Sequence, residues 1–228
     1  MPVLLAALVA PVPAAAQLAG SVTLQSDYRL RGYSVSEGQP AAILALSYDH
    51  ANGVYLNGSL IGSLDDDDNP ALLGWVGNIG YARHVATRVS IDAGVTRSEY
   101  QRGGGAGPYL DYTEIYAGVL AGGVSAHLYY SPDYFRRGAS TLYGEIEAGI
   151  EPVPKLRLSA HLGLLGYVAT PAGMAEREVE YDWRLTASRR FGAIDVHASV
   201  SDGGPDEDYY HRRPHGKAAL TVGATWTF

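Results

Sequence analysis

The feature that most constrains this chain is a strict two-residue alternation, clearest in its last twelve residues, Lys217 to Phe228 (KAALTVGATWTF). Ala218, Leu220, Val222, Ala224, Trp226 and Phe228 take every second position, with Lys217, Thr221, Thr225 and Thr227 between them. A period of two places one set on each face of a β-strand. Such a strand offers two hydrogen-bonding edges, and closing a sheet on itself is the arrangement that pairs both.

The same pattern recurs upstream in about twelve segments in all. The first is read over Ser21 to Tyr33, with Val22, Leu24, Tyr28 and Leu30 on the apolar face and Thr23, Gln25, Asp27, Arg29 and Arg31 opposite. Leu44, Leu46 and Tyr48 mark the apolar face of the second, and Leu73, Trp75, Ile79 and Tyr81 that of the fourth. In a later segment Leu156, Leu158, Ala160, Leu162 and Leu164 face away from Arg157, Ser159 and His161. Connections alternate between short turns and longer polar or glycine-rich stretches, as in a transmembrane barrel with short periplasmic turns and longer external loops. With both termini on the short-turn side the strand number is even. About 18 residues are available for each strand plus connection, enough for the roughly 9 to 11 that cross a bilayer. The predicted fold is therefore all-β: a transmembrane antiparallel up-and-down β-barrel of about 12 strands, in one domain over residues 17–228.

Alternation alone does not say which face looks outward, since a soluble barrel points its apolar set inward. Three features favour the inverted arrangement. Charges fall in the middle of strands on one face; the other face carries aromatics near strand ends (Tyr48, Trp75, Tyr81, Tyr130, Tyr181, Trp183, Trp226, Phe228); and Lys155 and Lys217 are the sole lysines. Aromatic girdles belong to outer-membrane barrels, and a surface wholly in water mixes in more lysine. The net charge of -7 argues against a nucleic-acid partner. No cysteine is present, which suits an oxidising compartment crossed without disulfides. Val3 to Val12 is apolar and is followed by Ala14, Ala15 and Ala16, the pattern of a secretory signal peptide over residues 1–16 without its usual basic start.

Several strings resemble one family. SDYRLRGYS (Ser26 to Ser34) followed by Glu37, Gly38, Gln39 and Pro40, then YDHANGVY from Tyr48, YTEIYAG from Tyr112, YYSPDYF from Tyr129 and YDW from Tyr181, resemble the TorF-type porins of Gram-negative outer membranes. The likeness runs in order along nearly the whole mature chain. It implies a porin-like barrel in the outer membrane and names no solute. Trp226 and Phe228 resemble the C-terminal signal of proteins handled by the outer-membrane insertion machinery. The chain departs from the family pattern in lacking a basic leader and in the apolar Ile43 to Leu46.

The polar face supplies the candidate lumen and constriction residues. These are Asp27, Arg29, Arg31, Asp92, Glu114, Tyr116, His127, Glu145, Glu147, Arg157, His161, Asp182, Arg184, Asp195, His197 and Lys217. Acids outnumber fixed bases, so opposed charges should pair along the wall and leave a slight preference for cations. Eight-stranded barrels are filled by side chains and sixteen-stranded ones leave a channel, so twelve strands suit a narrow path for small polar solutes or ions, with Arg29 and Arg31 at its constriction. The competing expectations are a closed structural or adhesive barrel with a salt-bridged lumen, and a lipid-modifying enzyme. An enzyme would need a nucleophile with an oriented base facing the lipid, and the apolar face offers little besides Ser26 and Thr113.

Other motifs carry less. Asp65 to Asp68 lacks the alternating spacing of a calcium loop, and Gly103 to Gly105 lacks the Lys-Ser/Thr of a phosphate loop. His211, Arg212, Arg213 and His215 sit in a polar loop that could meet lipopolysaccharide phosphates. No cofactor or metal is expected; the expected partners are outer-membrane lipids, lipopolysaccharide, the insertion machinery and small polar solutes.

Overall fold

The computed structural model describes residues 17–64, 67–101, 110–171, 179–204 and 218–228. Twelve strands form a closed antiparallel barrel: β1 Gln17–Gln25, β4 Ala41–Asp49, β5 Val54–Leu64, β6 Pro70–Ala86, β7 Val89–Tyr100, β8 Leu110–Ala121, β9 Val124–Ser131, β10 Ser140–Val153, β11 Leu156–Ala169, β12 Glu180–Phe191, β13 Ile194–Gly203 and β14 Ala219–Thr227. The remaining pair, β2 Arg29–Leu30 and β3 Tyr33–Ser34, is a separate two-stranded hairpin. Each barrel strand pairs with its sequence neighbour, and β14 returns to β1, with Ser21 opposite Thr227 and Gln25 opposite Gly223. The backbones of Gly20 and Phe228 exchange both hydrogen bonds, 3.1 and 2.9 Å, and complete that seam.

The burial pattern is the reverse of a soluble barrel's. Leu162 is 64% exposed and Leu164 59%, whereas Glu114 on the opposite parity is 1% exposed. No open edge remains in the barrel, which satisfies the requirement that backbone groups in lipid pair within the protein. Short turns at 50–53, 87–88, 122–123, 154–155 and 192–193 occupy one end. The described connections 26–40 and 132–139, and the strand ends that flank the remaining longer connections, lie at the other.

Two readings of the first and fourth segments need correction. The first strand ends at Gln25, and Tyr28 and Leu30, expected on the lipid face, lie inside the barrel at 3% exposure each. The reason is local. Asp27 accepts from Ser34 Oγ and from Ser36 Oγ (3.0 Å), Arg29 Nη1 donates to Asp27 (3.1 Å), and the Tyr28 N–H donates to Ser36 Oγ (2.8 Å). Those bonds curl the chain into the β2–β3 hairpin and fold it into the lumen. In β6 a register shift opposite Ile61 and Gly62 turns Leu73 away from the lipid and against the interior, while Trp75, Ile79 and Tyr81 keep the outward parity. The residues 1–16, Asp65, Asp66, Gly103 to Gly105, Lys217 and the His211 to His215 group lie outside the described residues.

Candidate functional site

The interior divides along the barrel axis. Toward the short turns, Asp92, Glu147, Arg157, Arg184, Asp195 and His197 face inward and are half-buried, so this part of the lumen is reached by water. Toward the long connections, Tyr28, Leu30, Ile43, Ile61, Tyr100, Tyr112, Tyr134 and Leu165 form one buried cluster. Ile43, part of the unexpectedly apolar second segment, belongs here: at 5% exposure it faces the plug, and its neighbour Leu44 faces outward. The lumen is thus a cup, open at the short-turn end and filled at the other by an aromatic layer.

Residues 26–40 supply the centre of that layer, and residues 132–139 its cover. Tyr134 packs tilted and Phe135 edge-on against Tyr112, with ring centroids 4.9 and 4.7 Å away, and the Tyr28 and Tyr100 rings are 6.4 Å apart. Gly32 lies against the backbone of Gly203 and Gly204 with φ +78, where any side chain would collide and the backbone favours glycine. This is why the hairpin tip can enter so closely beneath the end of β13.

Arg31 projects from the hairpin into the wall. Its Nη1 and Nη2 each donate to a Glu114 carboxylate oxygen at 2.9 Å, a bidentate pair with side-chain exposures of 7% and 2%. Its guanidinium carbon stands 3.8 Å from the Tyr143 ring centroid, 5.3 Å from that of Tyr134 and 5.6 Å from that of Tyr129. Arg31 has φ 49, a backbone conformation uncommon for a residue with a Cβ, so it is held there by its contacts.

Beside and below the plug the wall carries two polar networks. In one, Tyr55 donates to Asp92 (2.9 Å) and meets the Tyr116 hydroxyl; Tyr116 accepts from Asn78 (3.0 Å), and His127 Nε2 lies 3.2 Å from Asp92. Glu145 continues it, accepting from Tyr129 (2.9 Å) and lying 4.0 Å from His127 Nδ1. In the other, Tyr143 donates to Asp182 (3.0 Å), and His161 Nε2 is 2.8 Å from Asp182 and 3.1 Å from Tyr143. Inward glycines make the room: a Cβ on Gly94 would strike Tyr116, one on Gly118 the His127 ring, and one on Gly163 Tyr143 and Asp182. Large side chains on one strand lean over glycines on the next.

Of the residues singled out from sequence, Asp92, Glu114, Tyr116, His127, Glu145, Glu147, Arg157, His161, Asp182, Arg184, Asp195 and His197 face the lumen from the wall. Asp27, Arg29 and Arg31 lie in the inward-folded connection instead of on a strand. Trp226 and Phe228 lie on the outer face, their rings 4.9 Å apart, with Phe228 covering Gly20. Tyr55, Asn78, Tyr129, Tyr134 and Tyr143 were not singled out. Tyr129 and Tyr143 share the parity of the lumen acids, which is the signal that could have found them.

On the outer face near the long-connection end, Arg97 donates to Asp111 and to Thr113 Oγ1 (3.1 Å). Among the described residues no group of three or more His, Asp or Glu is arranged to hold a metal ion. Ser90 Oγ lies 2.9 Å from His84 Nδ1 at the short-turn rim, and no carboxylate is described as orienting that histidine.

Fold and facing together define a closed twelve-stranded antiparallel β-barrel with an apolar outer face, the architecture of outer-membrane porins. The chain belongs to the family described as "Bacterial protein of unknown function (Gcw_chp)", which it matches over residues 10–228. That description does not carry the TorF-type name expected from sequence; the outer-membrane porins enter as solved structures of similar fold. Solved structures of similar fold include the KdgM porin, at 14% identity and TM-score 0.56 over 92% of this chain and 99% of that one. KdgM has also been seen in complex with disordered oligogalacturonate. The NanC porin gives 9% identity and TM-score 0.63, covering 90% and 98%. The COG4313 outer membrane channel from Pseudomonas putida F1 gives 14% and 0.54, covering 96% and 97%. At these identities the likeness concerns fold alone. No curated protein sequence matches the chain.

Proposed function

We propose that this protein is an outer-membrane channel for small polar solutes or ions, favouring cations, whose lumen is closed in the resting state by the inward-folded connection 26–40. The observation that carries the reading is the excess of acid in the water-reached cup. Arg29 and Arg31 are engaged with Asp27 and Glu114, which leaves Asp92, Glu145, Glu147 and Asp195 against Arg157 and Arg184. In a narrow passage with low-dielectric walls an excess of one sign raises the local concentration of counter-ions. A polyanion such as the oligogalacturonate seen with KdgM is disfavoured here by the same charges. The short-turn end then faces the periplasm, as is general for such barrels. Phe228 on the outer seam serves the insertion machinery, and the outer face meets lipid and lipopolysaccharide.

Planar bilayer recording tests this. Wild type should open rarely, a variant with Arg31 replaced by Ala should conduct readily, and its reversal potential in a salt gradient should report cation preference. Anion selectivity, or no conductance in either protein, refutes it.

One observation favours a second reading, a permanently closed barrel presenting its long connections to a partner. The Arg31–Glu114 pair is almost fully withdrawn from water and tyrosines pack it on several sides. Silence of the Arg31→Ala variant in the same recording selects that reading. A lipid-modifying enzyme has less support, because the His127–Asp92 and His161–Asp182 pairs are turned to the lumen, away from acyl chains.

A further inference from the structure

We infer that Glu114, Tyr129, Tyr134 and Tyr143 form a cation-binding cage that the chain fills with its own Arg31, and that a guanidinium-bearing solute competes for this cage and so releases the plug. The cage itself stands on geometry; only the release of conductance rests on the channel reading above.

Most of the cage belongs to the wall and its occupant does not. Glu114 comes from β8, Tyr129 from β9 and Tyr143 from β10, whereas Arg31 comes from a connection between strands. The wall residues are fixed without the plug's help: Tyr129 is held by its bond to Glu145, at 2.9 Å, and Tyr143 by its bond to Asp182, at 3.0 Å. Withdrawal of Arg31 would leave a buried carboxylate framed by two held aromatic faces. A carboxylate that takes two parallel N–H bonds, beside ring faces, selects a planar guanidinium over a compact, strongly hydrated ammonium or sodium ion.

The resident is also an imperfect fit. Arg31 Nε is buried without a hydrogen-bond acceptor, and the residue holds φ 49. Both features follow from the tether: the backbone fixes the direction from which the side chain enters. A free guanidinium carries neither burden, so it can compete although the tethered group enjoys a high effective concentration. The half-buried inward groups Asp92, Glu147 and Asp195 mark the short-turn end as the side from which a solute would approach the underside of the plug.

The test uses the full-length mature protein in detergent, with Arg31→Ala to empty the cage and Arg31→Ala/Glu114→Gln to spoil it. Methylguanidinium is the probe, titrated by calorimetry, with methylammonium and sodium chloride as controls. The expected result is saturable methylguanidinium binding to the single variant, at least about tenfold tighter than to the double variant and than methylammonium, a difference of about 1.4 kcal/mol. Equal affinities overturn the inference. In bilayers, methylguanidinium should block the open single variant and raise the opening frequency of wild type. Binding without conductance in any variant keeps the cage and removes the channel. Conductance of the single variant without binding keeps the channel and removes the cage. Should Arg31→Ala fail to fold, hydrogen exchange across residues 26–40 of wild type answers instead. Faster exchange with free arginine than with equal sodium chloride supports the inference, and identical exchange overturns it.

Discussion

Replacing Glu114 with Ala is the sharpest probe of what holds the plug. In wild type its carboxylate takes two bonds of 2.9 Å from Arg31, and with side-chain exposures of 7% and 2% neither group is screened by solvent. Removing one partner of a buried pair strands the other charge, at a cost of about 3–5 kcal/mol. The Tyr143 ring 3.8 Å from the guanidinium is present in both proteins, so its contribution cancels from the difference. The barrel's own ladders do not pass through Arg31, so the loss falls mainly on the plug equilibrium. At about 1.4 kcal/mol per decade, the fraction of time the hairpin spends detached should rise by about 100-fold or more.

Hydrogen exchange reads this directly. The amides of Tyr28, Val35 and Ser36 are held within the plug, bonded to Ser36 Oγ at 2.8 Å and to the Tyr28 carbonyl at 2.8 and 3.3 Å. Their exchange should accelerate by that factor in Glu114→Ala while amides of β11 and β12 keep their protection. The double variant Arg31→Met/Glu114→Leu should recover most of the protection, because a buried pair replaced by apolar groups is often neutral. An acceleration below about fivefold in Glu114→Ala, or no recovery in the double variant, would show that the tyrosine layer holds the plug without the ion pair.

Four further outcomes rest on the same geometry. Leu162→Arg, at a mid-strand position 64% exposed on the outer face, should destabilise the barrel by about 2–4 kcal/mol in lipid vesicles, measured by urea unfolding. Gly163→Val should be worse tolerated than a neighbouring outward substitution such as Leu164→Val, since a Cβ there meets Tyr143 and Asp182; overpacking of about 1–3 kcal/mol should appear as a lower thermal gel-shift midpoint. Phe228→Ala should slow folding into vesicles severalfold, because the ring that covers Gly20 beside the closing hydrogen bonds is lost. In an Arg31→Ala background, Glu147→Lys with Asp195→Lys should shift selectivity toward anions, read as a change in reversal potential; an unchanged potential would place the selectivity elsewhere.

Strand alternation was enough to read the barrel, its strand number and the sidedness of most wall positions. An inverted barrel has one apolar and one polar face all along its length, so parity transmits facing from one residue to the next. Glu114, His161 and Asp182 could be assigned inward for that reason, and Leu162 and Leu164 outward. Parity has no power where the chain leaves the ladder. Tyr28 and Leu30 continue the rhythm of β1, yet the Tyr28 backbone is bonded to Ser36 and Val35 and Leu30 pairs with Tyr33 of the hairpin, not with a barrel strand. Ile43 looked out of place as an apolar residue on a polar face until the plug supplied its partners.

The sequence by itself determined the closed sheet and which face meets lipid, because those follow from a local period of two and from the cost of leaving backbone groups unpaired in hydrocarbon. Only the tertiary structure decided that the lumen is a cup, and that Arg31 is a tethered occupant of a wall-built cage. That outcome depends on Glu114, 83 positions away in the chain, and on Tyr143 beyond it. A contact of that separation is set by how strands lie side by side around the barrel, and no short-range pattern encodes it.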